Sequence, residues 1–186
     1  MTTRLQLFSL ASTPAMRKGR FPADEALDER GRDETIAAGL IAHLPAHATL
    51  LCSPAAMARD TAALWQRPAI IEPALADMDH GHWRGRGLAE VAAETPAALA
   101  AWTRQAEAPA GGAESFLQVL ARVGRWQEQL DYQGDVVALT HPAVIRAAIL
   151  HALNAPASGF FRIEVPPLAR FELRRSAQGW TWWPGI

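Results

Sequence analysis

A single cysteine, Cys52, excludes an internal disulfide from the 186-residue chain. Charge of one sign is lacking too, since 18 Lys and Arg stand against 19 Asp and Glu for a net charge of -1. Such a balance supplies no bulk pull toward nucleic acid or a membrane surface, and neither is expected as a partner. No stretch reaches the roughly 20 apolar residues that a membrane helix needs. The apolar run within "MTTRLQLFSLASTP" is too short for a secretion signal. Internal repeats and low-complexity segments are absent as well. A soluble, reducing, cytoplasmic setting is the expectation. What is present is a 49% hydrophobic composition, enough for a sizeable core. The length fits one domain over 1–186, with a cap-like insertion at about 75–114.

Hydrophobic runs and punctuation divide the chain. "LQLFSL" (5–10) reads as a strand, followed by a long, charged loop over 11–31. Asp28 can cap a helix from about Glu29 to His43. "HATLLCS" (47–53) reads as a second strand, and Ser53-Pro54 as the start of a helix reaching about Trp65, with Ser53 as its cap. "PAIIEP" (68–73) is a short strand. The stretch from Leu75 to Gly112 is irregular, with two short helical pieces. Ser115 opens an amphipathic helix to about Leu130, "GDVVALTH" (134–141) is a buried strand, and "PAVIRAAILHAL" (142–153) is a helix. The tail from Phe161 to Ile186 alternates like antiparallel strands around a Gln178-Gly179 turn.

Strands alternating with helices imply an α/β fold, here a three-layer α/β/α sandwich on a mostly parallel central sheet. Ligands gather at the carboxyl ends of such strands. The junctions "LLCSPAAMARD" and "ALTHPAVIRA" each aim a helix amino terminus at that edge, where backbone N–H groups favour an anion. A small anionic ligand is therefore expected near Ser9–Thr13, Ser53–Arg59 and Thr140–His141.

Six stretches in order over about residues 5–153 together resemble the histidine phosphatase, or phosphoglycerate mutase-like, superfamily. "LFSLASTPAMRKGRF" is similar to the family's Arg-His-Gly strand end and basic loop. "DEALDERG", "SPAAMARDTA", "LADMDHGHWRG", "GGAES" and "VALTHPAVIRA" follow the family's later motifs. The wording looks closest to small bacterial relatives of the alpha-ribazole phosphatases. The resemblance implies a phosphoglycerate mutase-like fold and phosphoric-ester chemistry without a metal or cofactor. In that chemistry a histidine attacks phosphorus, a carboxylic acid protonates the leaving oxygen, and arginines, an asparagine and a second histidine hold the phosphoryl oxygens.

Carried over residue by residue, the resemblance puts Leu10 at the nucleophile's place, Ser9 at the preceding arginine's and Ala11 at the glycine's. Met16 stands for the loop asparagine and Met57 for the second motif's arginine. Leucine has no lone pair to donate, and losing one preorganised donor typically costs about 3–4 kcal/mol of transition-state stabilisation. Arg59 is two residues from Met57, about 200° around a helix, and should face elsewhere, although it remains a pocket candidate. Asp77 holds the acid's position and His141 the second histidine's, with Pro142 behind it offering no backbone N–H.

The bland readings stand beside these. His141 is either a pocket group or a helix-capping histidine, and Asp77 either an acid or a loop organiser. Ser12 and Thr13 can donate to a ligand or cap the loop. Arg17, Lys18 and Arg20 can draw an anion to the mouth or form a solvated basic loop. His80 and His82 lack a third metal ligand nearby. Cys52 packs at a strand end, Trp83 under the cap, and Trp180, Trp182 and Trp183 cover the sheet edge or form a homodimer patch. The expectation is a pseudophosphatase that binds a small ligand or partner. The alternative is an active phosphoric-ester hydrolase, or another enzyme, that uses His141 and Asp77.

Overall fold

The computed structural model describes residues 3–183. It contains strands β1 (Thr3–Ser9), β2 (Thr49–Cys52), β3 (Ile70–Ile71), β4 (Gly134–Thr140), β5 (Arg170–Ser176) and β6 (Gly179–Trp183). The helices are α1 (Pro14–Arg17), α2 (Glu29–Ala37), α3 (Ala56–Leu64), α4 (Leu88–Glu94), α5 (Pro96–Trp102), α6 (Phe116–Gln129) and α7 (Pro142–Ala152). The sheet order is β3-β2-β4-β1-β5-β6. The first four strands run parallel, while β5 and β6 are antiparallel additions on the β1 side. This is the expected sandwich on a mostly parallel sheet. Among the described residues, no helix is long and apolar enough to cross a membrane.

The central strands are continuous apolar runs because both faces are covered. On one face Leu5, Leu7, Val136 and Ala138 pack with α6 and α7; on the other Phe8, Leu50, Val137 and Leu139 pack with α3. Ser115 and Gln118 form a reciprocal capping box that starts α6, and Asp28 Oδ1 accepts from Gly31 N to start α2. The sequence expectation differs from the structure in four places, one of them the tail, where Phe161 and Arg162 close a 3-10 helix and β5 begins only at Arg170. α2 stops at Ala37, because Gly39 takes a left-handed φ of 61° and a 3-10 turn replaces its last part. The 11–31 loop contains the single helical turn α1, capped by Thr13, whose Oγ1 accepts from Met16 N. Ser53 does not cap α3, which begins only at Ala56 behind Ala55.

Residues 75–114 fold against the carboxyl edge of the sheet. Phe21, Trp83 and Trp102 stack there with centroid separations of 5.3–5.8 Å, and Trp83 is fully buried. Gly111 is required at this point: it has φ 52°, and a Cβ on it would lie 2.1 Å from the His80 carbonyl oxygen. In the tail, Trp180 is buried, whereas Trp182 and Trp183 are partly exposed and Arg174 lies over the Trp183 ring at 3.8 Å. The last residues of that tail, 184–186, lie outside the described residues.

Candidate functional site

Register alone brings three residues together. Ser9 pairs with Thr140 and Cys52 with Leu139, so the next residues, Leu10, His141 and Ser53, emerge side by side from three parallel strands. They line one cavity of about 660 Å³. Its walls include Met16, Phe21, Met57, Met78, Trp102 and Phe160, and its polar groups include Thr13, Asp24, Asp77, His80 and His141. A cavity of this size suits a small molecule.

His141 sits at the amino end of α7 without capping it through its side chain. Its Nε2 lies 2.9 Å from Ser53 Oγ, and its Nδ1 faces Asp77 Oδ2 at 3.5 Å. A carboxylate only accepts, so Asp77 favours the proton on Nδ1, leaving Nε2 to accept from the Ser53 hydroxyl. Ser53 Oγ in turn accepts from Ala55 N at 3.3 Å. The three side chains line up at the cavity floor, with His141 between Ser53 and Asp77.

Asp77 is held there by two anchors. Thr140 Oγ1 donates to Leu75 O at 2.7 Å, tying the segment to the end of β4. Arg122, on α6, donates through Nη1 to Ala74 O at 2.6 Å and Ala76 O at 3.1 Å, while its Nε and Nη2 bind Glu114. Neither anchor is visible in the motifs, because each spans dozens of residues.

The other half of the cavity is apolar. Leu10 is 5% exposed and Met57 7%, and both line the cavity. Thr13, Met16 and Arg20 line it as well, although Thr13 Oγ1 is engaged as the α1 cap. Arg20 is turned toward the rim, donating to Gly85 O at 2.9 Å and pairing with Glu90 at 3.3 Å. Four expected pocket residues are not on its lining. Ser9 faces the strand lead-in, where its hydroxyl donates to Pro166 O at 2.6 Å and accepts from Ala169 N at 2.8 Å. Arg17 folds back on Ser12, whose carbonyl it binds, and pairs with Asp28, which withdraws both Arg17 and Ser12. Arg59 is exposed on the far side of α3, as helical rotation from Met57 dictates. Lys18 is also absent from the lining.

Two further candidates have clear environments. Burial pushes the Cys52 thiol up to about 11, against a smaller opposing pull from Arg59, so it holds little thiolate at neutral pH. Burial also lowers the His80 pKa below its ordinary value, with Asp77 and Asp79 opposing. Among the described residues, no group of three or more His, Cys, Asp or Glu side chains is placed to hold a metal ion. The sequence reading missed Arg146, which lines the cavity from α7. Its position four residues after Pro142 was the available signal, since i and i+4 share a helix face.

The model of the histidine phosphatase superfamily (branch 1) matches residues 12–183. The bifunctional protein Rv2228c of Mycobacterium tuberculosis is 29% identical over 173 residues, covering 88% of this chain and 48% of that protein. The chain thus spans about half the length of the curated relatives it matches. A mycobacterial glucosyl-3-phosphoglycerate phosphatase complexed with VO3 superposes with a TM-score of 0.84 at 23% identity, over 96% of both chains. The alpha-ribazole phosphatase from Shigella flexneri gives 0.82 at 24% identity, over 96% of this chain and 94% of its own. At such identities the likeness speaks to the fold.

Proposed function

The chain belongs to the histidine phosphatase superfamily, and on that premise we propose that it is a pseudophosphatase: a family fold that binds a small ligand or partner without transferring phosphate. The observation that carries this reading is the buried pair Leu10 and Met57 on the cavity wall. Attack on phosphorus needs a nucleophile's lone pair, which Leu10 does not have, and the charge that develops needs fixed hydrogen-bond donors, which Met57 does not offer. Residues 75–114 act as the cap of this cavity, contributing Asp77, Met78, His80 and Trp102 to its lining. The test is an assay of phosphate release from aryl phosphates and phosphorylated metabolites. No turnover above background is expected. Robust turnover that His141→Ala abolishes overturns the reading.

A second reading has its own support in the Ser53–His141–Asp77 chain. An imidazole placed between a hydroxyl and a carboxylate is equipped for acid–base work. Activity with a bell-shaped pH profile, lost in Asp77→Asn, would favour it. Inertness across a broad substrate panel counts against it.

A further inference from the structure

Among the described residues, Arg146 is the cavity-lining arginine that the protein holds in place while its terminal nitrogens have no carboxylate or carbonyl partner. Its Nε donates to Ile163 O at 2.7 Å, and its guanidinium lies over the Phe160 ring, 4.9 Å from the centroid. These contacts fix the plane of the group. Among the described residues, no hydrogen bond or ion pair reaches Nη1 or Nη2, yet neither is sealed from solvent. The exposed Glu164 acts on it only through the field. Of the other cavity arginines, Arg20 is engaged with Glu90 and Gly85, while Arg84 is 60% exposed and touches Asp79 only through Nε at 3.7 Å, so no contact fixes its guanidinium plane toward the cavity.

We infer that Arg146 is the anion-recognition residue of this cavity, and that the ligand is a hydrophobic carboxylate whose apolar body lies against Leu10, Met57, Met78 and Trp102. The assignment rests on the pseudophosphatase reading, since it fills the same cavity. Two parallel N–H groups at a fixed guanidinium end match the two oxygens of a carboxylate. A phosphate dianion fits less well, because one guanidinium must offset its charge while Asp24, Glu25 and Asp77 line the same cavity. Burial also lowers the Arg146 pKa, as expected for a cation that lacks a contacting counter-charge. The pocket is therefore divided, with its apolar wall where the family resemblance places the nucleophile and its cationic group about one and a half turns along α7 from His141.

The test is calorimetric titration of the whole chain with 2-naphthylacetate, 2-naphthaleneethanol and 2-naphthyl phosphate. These share one aromatic body and differ in the polar head. The carboxylate is expected to bind at least about tenfold more tightly than the alcohol, the range for a charge-assisted hydrogen-bonded pair. Arg146→Gln should erase that preference and keep the alcohol affinity, which also shows that the variant folds. Arg146→Lys, with the charge but not the fork, should keep only part of it. Equal binding of carboxylate and alcohol, no binding of either, or a preference that survives Arg146→Gln overturns the inference. Tighter binding of the phosphate than of the carboxylate overturns it as well. Release of 2-naphthol from the phosphate overturns the pseudophosphatase reading alone and leaves the carboxylate assignment standing on its own titration.

Discussion

The two halves of the cavity are built from the same sheet edge and have opposite chemistry. In one half, His141 at the β4–α7 junction, Ser53 just after β2 and Asp77 keep a polar chain anchored by Thr140 and Arg122. On the β1 and α3 side, Leu10 and Met57 present only hydrocarbon and thioether, and the nearby Ser9 and Arg17 are bound to backbone or to Asp28. Leu10, Met57, Ser53 and His141 are all buried, so burial alone does not set the two halves apart. A scaffold can keep its carboxyl-edge geometry while losing the groups that geometry serves.

If the apolar half is a substituted phosphate floor, restoring its donors should produce the largest change available to mutation. Leu10→His with Met57→Arg is expected to raise phosphate release from para-nitrophenyl phosphate at least about 100-fold over the parent, the scale of one preorganised donor. Ser9 is best left intact, since its hydroxyl holds both Pro166 and Ala169. A flat response in a folded double variant means that the two halves do not stand in the proposed relation.

Next in size is the packing role of that wall. Leu10→Ala should destabilise the protein by about 2–3 kcal/mol, at the lower end for a buried leucine because the site opens on a cavity. The polar half should respond differently. A double-mutant cycle of Ser53→Ala and His141→Ala should show coupling of about 1 kcal/mol, the ordinary worth of an intramolecular hydrogen bond. Urea titration measures both. Zero coupling would mean that the 2.9 Å contact between these side chains contributes nothing to stability.

The elements that form the shared edge were legible because their causes are local. β1 and β4 are unbroken apolar runs, the Asp28 cap sits three residues from its acceptor's donor, and the Ser115–Gln118 box spans one turn. The Met57–Arg59 distinction followed from helical rotation alone. The illegible features depend on chain segments meeting from far apart. Ser53 reads as a cap until His141, 88 residues away, takes its hydroxyl. Arg17 and Ser9 read as pocket groups until Asp28 and the lead-in to β5 claim them. Arg146 was hidden inside an apolar helix, where only the folded cavity reveals which side it faces.

His80 adds a pH dependence that separates the 75–114 segment from the cavity floor. Burial holds the His80 pKa below its ordinary value of 6.5. Above about pH 6.5 the imidazole is neutral in both folded and unfolded chains, and its titration changes nothing. Below that value the unfolded chain binds a proton that the folded chain resists, so stability falls as the pH drops toward the folded pKa. His80→Phe, which keeps an aromatic beside Phe21 and Trp102, should flatten this slope on the acid side of about pH 6.5. An unchanged slope would place the titration elsewhere.

The smallest expected effect tests whether the apolar half is closed beneath its wall. Cys52 ends β2 one residue before Ser53, is fully buried, and has its thiol pushed up to about 11. Thiol reagents attack the thiolate, so at pH 8 the native protein should react with a disulfide reagent no faster than it globally unfolds. Filling the cavity with 2-naphthylacetate should then slow labelling only as far as it stabilises the whole fold. Rapid labelling of native protein, suppressed by the ligand beyond that stabilisation, would show that the apolar half opens locally around Cys52.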